Sequence, residues 1–183
     1  KGNVKDIYTI FDGTDKELII PVYQRNYDWG EKQCERLFDD LVDVAKKDRP
    51  KHFFGAVVGK PETGFSWVVI DGQQRLTTTS LLMLALSNSL SRGIVEADDP
   101  ELSAKIRRNY LEGSGSFISK ESKIKLKPVK HDLEAYRALL ADEEPVETSS
   151  VTINYRYFMQ RIAERELTGD ELWDAIRRLE AMI

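Results

Sequence analysis

From Leu81 to Leu86 the chain is apolar at six consecutive positions, with none of the polar interruptions of a surface helix. A helix that is apolar on every side has to be buried on every side, so this segment is the expected central element of the fold. The helix around it is predicted to start near Gln73 and run to about Ser91, with Gly93 as its stop. Directly before it stands Trp67–Ile70, a short β-branched run that reads as a strand, followed by Asp71-Gly72, a turn pair. The fold is thereby tied to a strand, a tight turn and a buried helix in immediate succession.

The turn between them carries an unusual set of groups. Gly72 lacks a Cβ, so backbone can approach a ligand there or take positive φ. Gln73 and Gln74 offer amide donors and acceptors. Arg75 offers a planar fork that grips phosphate oxygens in pairs. Asp71 can hold a divalent cation, since Mg²⁺ prefers carboxylate together with phosphate oxygens. All five lie at a helix N-terminus, where free N–H groups and partial positive charge favour anions. The plainer reading is that Asp71 caps the helix and Arg75 solvates its first turn. Clustering of five such residues at one junction favours a site for a nucleotide's phosphates. The hydroxyls of Thr77-Thr78-Thr79 then serve either a phosphate or, by back-bonding, the helix backbone.

Around this junction the pattern is α/β (α+β): a small mixed sheet and a long buried central helix, followed by a helical extension. Leu18–Ile20 and Phe53–Val58 read as strands, the latter joined to Trp67–Ile70 by turn-rich Gly59–Gly64. Cys34, Leu37, Phe38, Leu41, Val42 and Ala45 form a helical stripe. Residues 1–95 are assigned to the α/β core and 96–183 to a mostly helical extension with one short strand. In that extension Glu101–Leu111, Asp132–Leu140 and the face Tyr155, Phe158, Met159 and Ile162 read as helices. Asp142–Ser150 reads as an exposed connector, and Thr168 with Glu171 forms a capping-box pattern. Lys123–Lys127 alternates strictly, as a half-buried strand does. Its lysine face is expected to protect a sheet edge in preference to contacting DNA. The chain opens at Lys1 rather than Met, which suggests a piece excised from a longer protein; its last helical pattern reaches Ile183 without a stop, so a C-terminal part is expected to be missing.

Composition narrows the classes. A chain of 183 residues with 41% hydrophobic content can build a real core. The net charge of −4 argues against a generally basic nucleic-acid coat, though not against a local groove. Cys34 is the only cysteine, which excludes an internal disulfide and a cysteine-based zinc site. No apolar block is long enough to span a bilayer and no signal-peptide pattern opens the chain, so a cytoplasmic location without membrane contact is expected. There is no Gly-x-x-x-x-Gly-Lys-Ser/Thr loop, and His52 and His131 stand in no metal-ligand spacing.

A second string, Ile19-Ile20-Pro21-Val22-Tyr23-Gln24-Arg25-Asn26-Tyr27-Asp28-Trp29, is dense in aromatics and amides on a loop after a strand. Its rings can stack on bases or pack in the core. Trp29 is expected to be structural, with Gln24 and Arg25 lining the pocket opposite Arg75. Together with Phe53-Phe54-Gly55 and Ile70-Asp71-Gly72-Gln73-Gln74-Arg75-Leu76-Thr77-Thr78, this string resembles the N-terminal domain of GmrSD-type restriction endonucleases. The resemblance covers at least Ile19 to Leu90. It implies a fold related to the ParB/sulfiredoxin group, nucleoside triphosphate binding and hydrolysis, and recognition of modified DNA. It also implies a nuclease, carried either by a C-terminal domain or by a partner subunit.

On that basis Asp71, Gln74 and Arg75 are the expected catalytic residues, with Asp71 also the Mg²⁺ ligand. Gly72, Gln73, Gln74, Arg75, Thr77, Gln24 and Arg25 are expected to bind nucleotide. Tyr23, Gln24, Arg25 and Tyr27 are expected to meet DNA. The leading expectation is an NTP-hydrolysing sensor of a modification-dependent restriction system, and the alternative is a non-catalytic, nucleotide-gated DNA-binding switch of ParB-like type. Direct nuclease action by this segment is the weakest reading.

Overall fold

The computed structural model describes residues 2–13, 16–113 and 124–183. Its architecture is mixed α/β, with two small sheets and one long buried helix packed among other helices. In chain order the elements are β1 (Val4–Asp6), α1 (Tyr8–Phe11), β2 (Glu17–Ile19), α2 (Glu31–Lys46), β3 (His52–Ala56), β4 (Val58–Pro61), β5 (Ser66–Asp71) and α3 (Gln73–Ser91). Then come α4 (Leu102–Ile106), a π-helical turn (Arg107–Leu111), β6 (Leu126–Lys127), α5 (Lys130–Leu140), α6 (Ser150–Ala163), α7 (Gly169–Arg177) and β7 (Leu179–Met182).

The central helix is α3, as its composition demands. From Gln73 to Ser89 every residue except Arg75 is buried. Several of its polar members are bonded inside: Ser80 bonds the Tyr136 hydroxyl, and Asn88 Nδ2 donates to Tyr155 Oη at 2.8 Å. Thr78 and Thr79 back-bond to the carbonyls of Gln74 and Arg75, both at 2.8 Å. Helices α6 and α4 pack against α3, while α2 packs against α7 and α6. The buried stripe of α2 is Cys34, Leu37, Phe38, Leu41 and Val44; Val42 and Ala45 are not among its buried residues.

One sheet has the order β4-β5-β2-β6, with β5, β2 and β6 parallel and β4 antiparallel on the edge. The other has the order β1-β7-β3, with β7 antiparallel to β1 and parallel to β3. Strands β6 and β7 therefore pair with strands of the first 95 residues, and one core is continuous from Ile7 to Ala181.

Three expectations about the elements change. The stretch Phe53–Val58 is not one strand. Gly55 takes φ +130, the register shifts there, and Val57 N donates to Met182 O, so the chain leaves one sheet and enters the other at Val58. Gly59–Pro61, expected in a turn, consequently lies in β4. The last helix does not run to Ile183. It ends at Arg177, and Leu179–Met182 is extended because β1 and β3 offer backbone partners on both sides.

Lysine placement is the third change. Lys123 lies outside the described residues, and β6 is an edge strand as expected, yet it presents no solvated lysine face. Lys125 is completely buried, and its Nζ donates to the carbonyls of Phe11, Gly13 and Asn109. Lys127 is ion-paired with Glu17. By contrast, the capping box at α7 forms as predicted, with Glu171 N donating to Thr168 Oγ1 at 3.1 Å and Thr168 N donating to Glu171 Oε1 at 2.9 Å.

Candidate functional site at the N-terminus of the central helix

Strand β5 feeds directly into α3 through Gly72. This residue is the N-cap, sits at φ +91, and has no side chain to cap the helix. A Cβ here would lie 2.7 Å from Ala56 O and 3.0 Å from Val57 Cα, so the close approach of β3–β4 to the turn requires glycine. Asp71 does not cap the helix; its Oδ1 accepts the Gly72 N–H at 2.9 Å and the residue is exposed. The first intrahelical bond is Leu76 N to Gly72 O. The backbone N–H groups of Gln73, Gln74 and Arg75 have no protein partner among the described residues, which leaves the positive end of the helix uncompensated. Gly72→Ala should cost roughly 2 kcal/mol of stability through left-handed strain and steric conflict, read as a lowered urea midpoint at unchanged m.

Between Gln73 and Ser89, Arg75 is the one half-exposed residue. Its Nε donates to Phe54 O at 2.9 Å and Nη1 reaches Ala56 O at 3.4 Å. The guanidinium lies directly on Gly55, where a Cβ would fall 2.2 Å from Nε. The glycine of the Phe-Gly string is thus the seat of the arginine, a function its sequence context did not disclose. Nη2 has no partner among the described residues.

Gln74 is 6% exposed and spans a gap between helix and loop. Its Oε1 accepts from Asp28 N at 3.0 Å and Trp29 N at 3.3 Å, and its Nε2 donates to Asn26 O at 3.2 Å. One amide hydrogen is left for a ligand. Gln73 is 8% exposed, and its side chain makes no hydrogen bond among the described residues.

The aromatic string forms the opposite wall. Gln24 folds over the end of β5, donating from Nε2 to Ile70 O at 2.9 Å. Arg25 is exposed and pairs only loosely with Asp28, at 3.8 Å. The Trp29 ring meets Phe54 edge-on at 6.0 Å between centroids, the structural packing expected of it, and also borders the cavity. Gln24, Arg25, Trp29 and the run Asp71–Arg75 together line an open cavity of about 460 Å³. Gln24 and Arg25 do stand opposite Arg75, as anticipated.

Two expected site residues are elsewhere. Tyr27, expected to meet DNA, is buried: its hydroxyl bonds Thr78 Oγ1 at 2.7 Å and accepts from Asn154 Nδ2 at 2.8 Å. Its backbone N–H donates to Asp132 Oδ2 at 2.7 Å. Burial raises the phenol above its ordinary range, so it acts as a neutral hydrogen-bonding group. Thr77, expected at the nucleotide, is 1% exposed and is absent from the cavity lining; it borders a gap of about 10 Å³. Both are displaced inward because this helix face packs against the core. Tyr23, in contrast, is 73% exposed on the rim loop. Cys34 is buried and its thiol is pushed up to about 12 by burial, which makes it an inert core residue.

These features define an α/β domain with a polar, arginine-flanked cleft at the uncapped start of a buried helix. The chain belongs to the GmrSD restriction endonuclease N-terminal domain family, whose sequence model matches residues 7–183. It is therefore a restriction-endonuclease-associated domain, and membership implies association with a nuclease domain and with DNA. No curated protein matches the chain. No helix among the described residues is long and apolar enough to cross a membrane. Among the same residues, no group of three His, Cys, Asp or Glu side chains converges as a metal site.

Proposed function

We propose that this domain binds a nucleoside triphosphate at the Asp71–Arg75 turn and hydrolyses it as the sensor of a modification-dependent restriction protein. One observation carries the reading: Gln73, Gln74 and Arg75, whose backbone amides have no partner among the described residues, line one cavity of ligand size together with the exposed Arg25. Phosphate oxygens would rest against the amides of Gln73, Gln74 and Arg75, with Arg75 neutralising the charge that builds on the transferred group. Asp71, exposed beside them, fits a Mg²⁺ held by one protein carboxylate and completed by phosphates and water. The ion would neutralise phosphate charge. The chain's own contribution is positioning and electrostatic stabilisation, which is most of what phosphoryl transfer requires. Tyr23 on the rim is free to stack on a DNA base, a contact worth roughly 1–3 kcal/mol.

A second reading, a non-catalytic switch that binds nucleotide and alters its grip on DNA, draws support from Gln74. Its amide is committed to Asn26, Asp28 and Trp29. It is therefore well placed to couple the helix N-terminus to loop position, and less well placed to stabilise charge. The test is thermal unfolding against a panel of triphosphates, paired with phosphate release in Mg²⁺ with and without DNA. A ligand at one hundred times its Kd should stabilise the native protein by about 2.7 kcal/mol. Stabilisation with phosphate release supports the hydrolase, stabilisation without release supports the switch, and no stabilisation by any triphosphate refutes both.

A further inference from the structure

The segment Asn26–Trp29, which follows Gln24 and Arg25 and ends on Trp29, all three lining the cavity, belongs to no helix or strand. It is held by side chains from three helices. Gln74 of α3 takes the backbone of Asn26, Asp28 and Trp29. Asp132 of α5 takes the Tyr27 N–H. Asn154 of α6, entirely buried, donates from Nδ2 to Trp29 O at 2.6 Å and to Tyr27 Oη at 2.8 Å.

The Asn154 contacts fix the direction of a chain of hydrogen bonds. Trp29 O can only accept, so the amide must turn Nδ2 toward it, and the same Nδ2 donates to Tyr27. Tyr27 then spends its own proton on Thr78 Oγ1 at 2.7 Å, and Thr78 spends its proton on Gln74 O at 2.8 Å. The line Asn154→Tyr27→Thr78→Gln74 ends on the residue that clasps the loop. The cost is visible on the other side of the amide, where Asn154 Oδ1 is buried with no partner among the described residues. A residue serving only to fill space would carry no such orphan; the amide is there for its two donors.

We infer that Asn154 is a positioning residue for the cavity, which ties the Gln24–Trp29 wall to α6 and so makes the nucleotide site depend on a helix far downstream of its motif. The inference rests on the nucleotide reading for its kinetic consequence but not for its structural one. Three variants of the full chain test it: Asn154→Ala, Asn154→Asp, which keeps the shape but sets an oxygen against the Trp29 carbonyl, and Tyr27→Phe, which removes one oxygen atom from the chain.

Amide hydrogen exchange at Tyr27, Asp28 and Trp29 is the first readout. It should speed up roughly tenfold or more in each variant, beyond any change in the core amides of α3. Where triphosphate turnover is present, KM should rise about fivefold with kcat nearly unchanged, the mark of a displaced binding wall. A general loss of stability would accelerate all amides together and leave this split unmoved. Exchange at the three amides within about twofold of wild type in Asn154→Asp and Tyr27→Phe would overturn the inference. Absence of triphosphate binding by the wild-type protein would refute the nucleotide reading instead, and the exchange data would still decide the role of Asn154.

Discussion

Arg75→Ala is expected to lower triphosphate turnover by roughly 10²–10³-fold, the usual effect of removing one preorganised donor from a developing charge. The geometry makes this a demanding test, because Arg75 has two duties. Nε and Nη1 are occupied by Phe54 O and Ala56 O, and that clamp holds the strand crossing at Gly55. Losing it should lower stability by about 1 kcal/mol, the net worth of an ordinary hydrogen bond. Nη2 has no partner among the described residues, so on the nucleotide reading it is the nitrogen left to meet a ligand. Turnover and unfolding should therefore separate: a large drop in rate beside a small drop in urea midpoint. Arg75→Lys should recover little of the rate, because an ammonium cannot bond two strand carbonyls and a phosphate from one planar fork. Asp71→Ala, at an exposed position, should lose comparable turnover with no measurable change in stability. Phosphate release within a few-fold of wild type in both alanine variants would remove the turn from the chemistry.

The parts of this arrangement that were legible in the sequence are those set by local pattern. An unbroken apolar run placed α3 at the centre, and Asp-Gly after a β-branched strand placed its start at Gln73. The Thr168–Glu171 box was readable because both partners lie within one turn. Gln24 and Arg25 could be placed at the pocket because their string follows a strand and a proline and so falls on a loop.

What stayed hidden depends on partners remote in the chain. Tyr27 looks like its exposed neighbour Tyr23, but it joins the core and bonds Thr78, Asp132 and Asn154 there. Leu179–Met182 continues a helical apolar pattern, and it becomes a strand because β1 and β3 present free edges on either side. Gly55 reads as a generic strand glycine until Arg75 is laid over it. The lysine alternation before Lys127 misled for the same reason: a period of two says which residues share a face, and it does not say what covers that face.

Lys125→Met carries the largest expected effect on stability. A lysine is almost never fully buried without partners, and here the partners are three backbone carbonyls. They come from the end of α1, from Gly13 and from the π-helical turn at Asn109, segments that no shared strand ladder holds together. Burial lowers the ammonium's pKa to about 8, so at neutral pH it is still the charged, three-donor group this cage needs. Methionine replaces the four-atom apolar stem but leaves all three acceptors unanswered. Each orphaned buried carbonyl costs roughly 1–3 kcal/mol, and water entry will offset part of the sum, so a loss of about 3–5 kcal/mol is expected. For a domain whose total stability is of order 5–15 kcal/mol, that is a large share. The check is a urea titration of both proteins at pH 7, together with amide exchange along α1. A loss below about 1 kcal/mol would mean that water replaces the ammonium without penalty, and the cage would then be an accident of packing. A loss of the expected size, with exchange at α1 accelerated, would identify one buried cation as the fastener between the first helix and the segment that leads into β6.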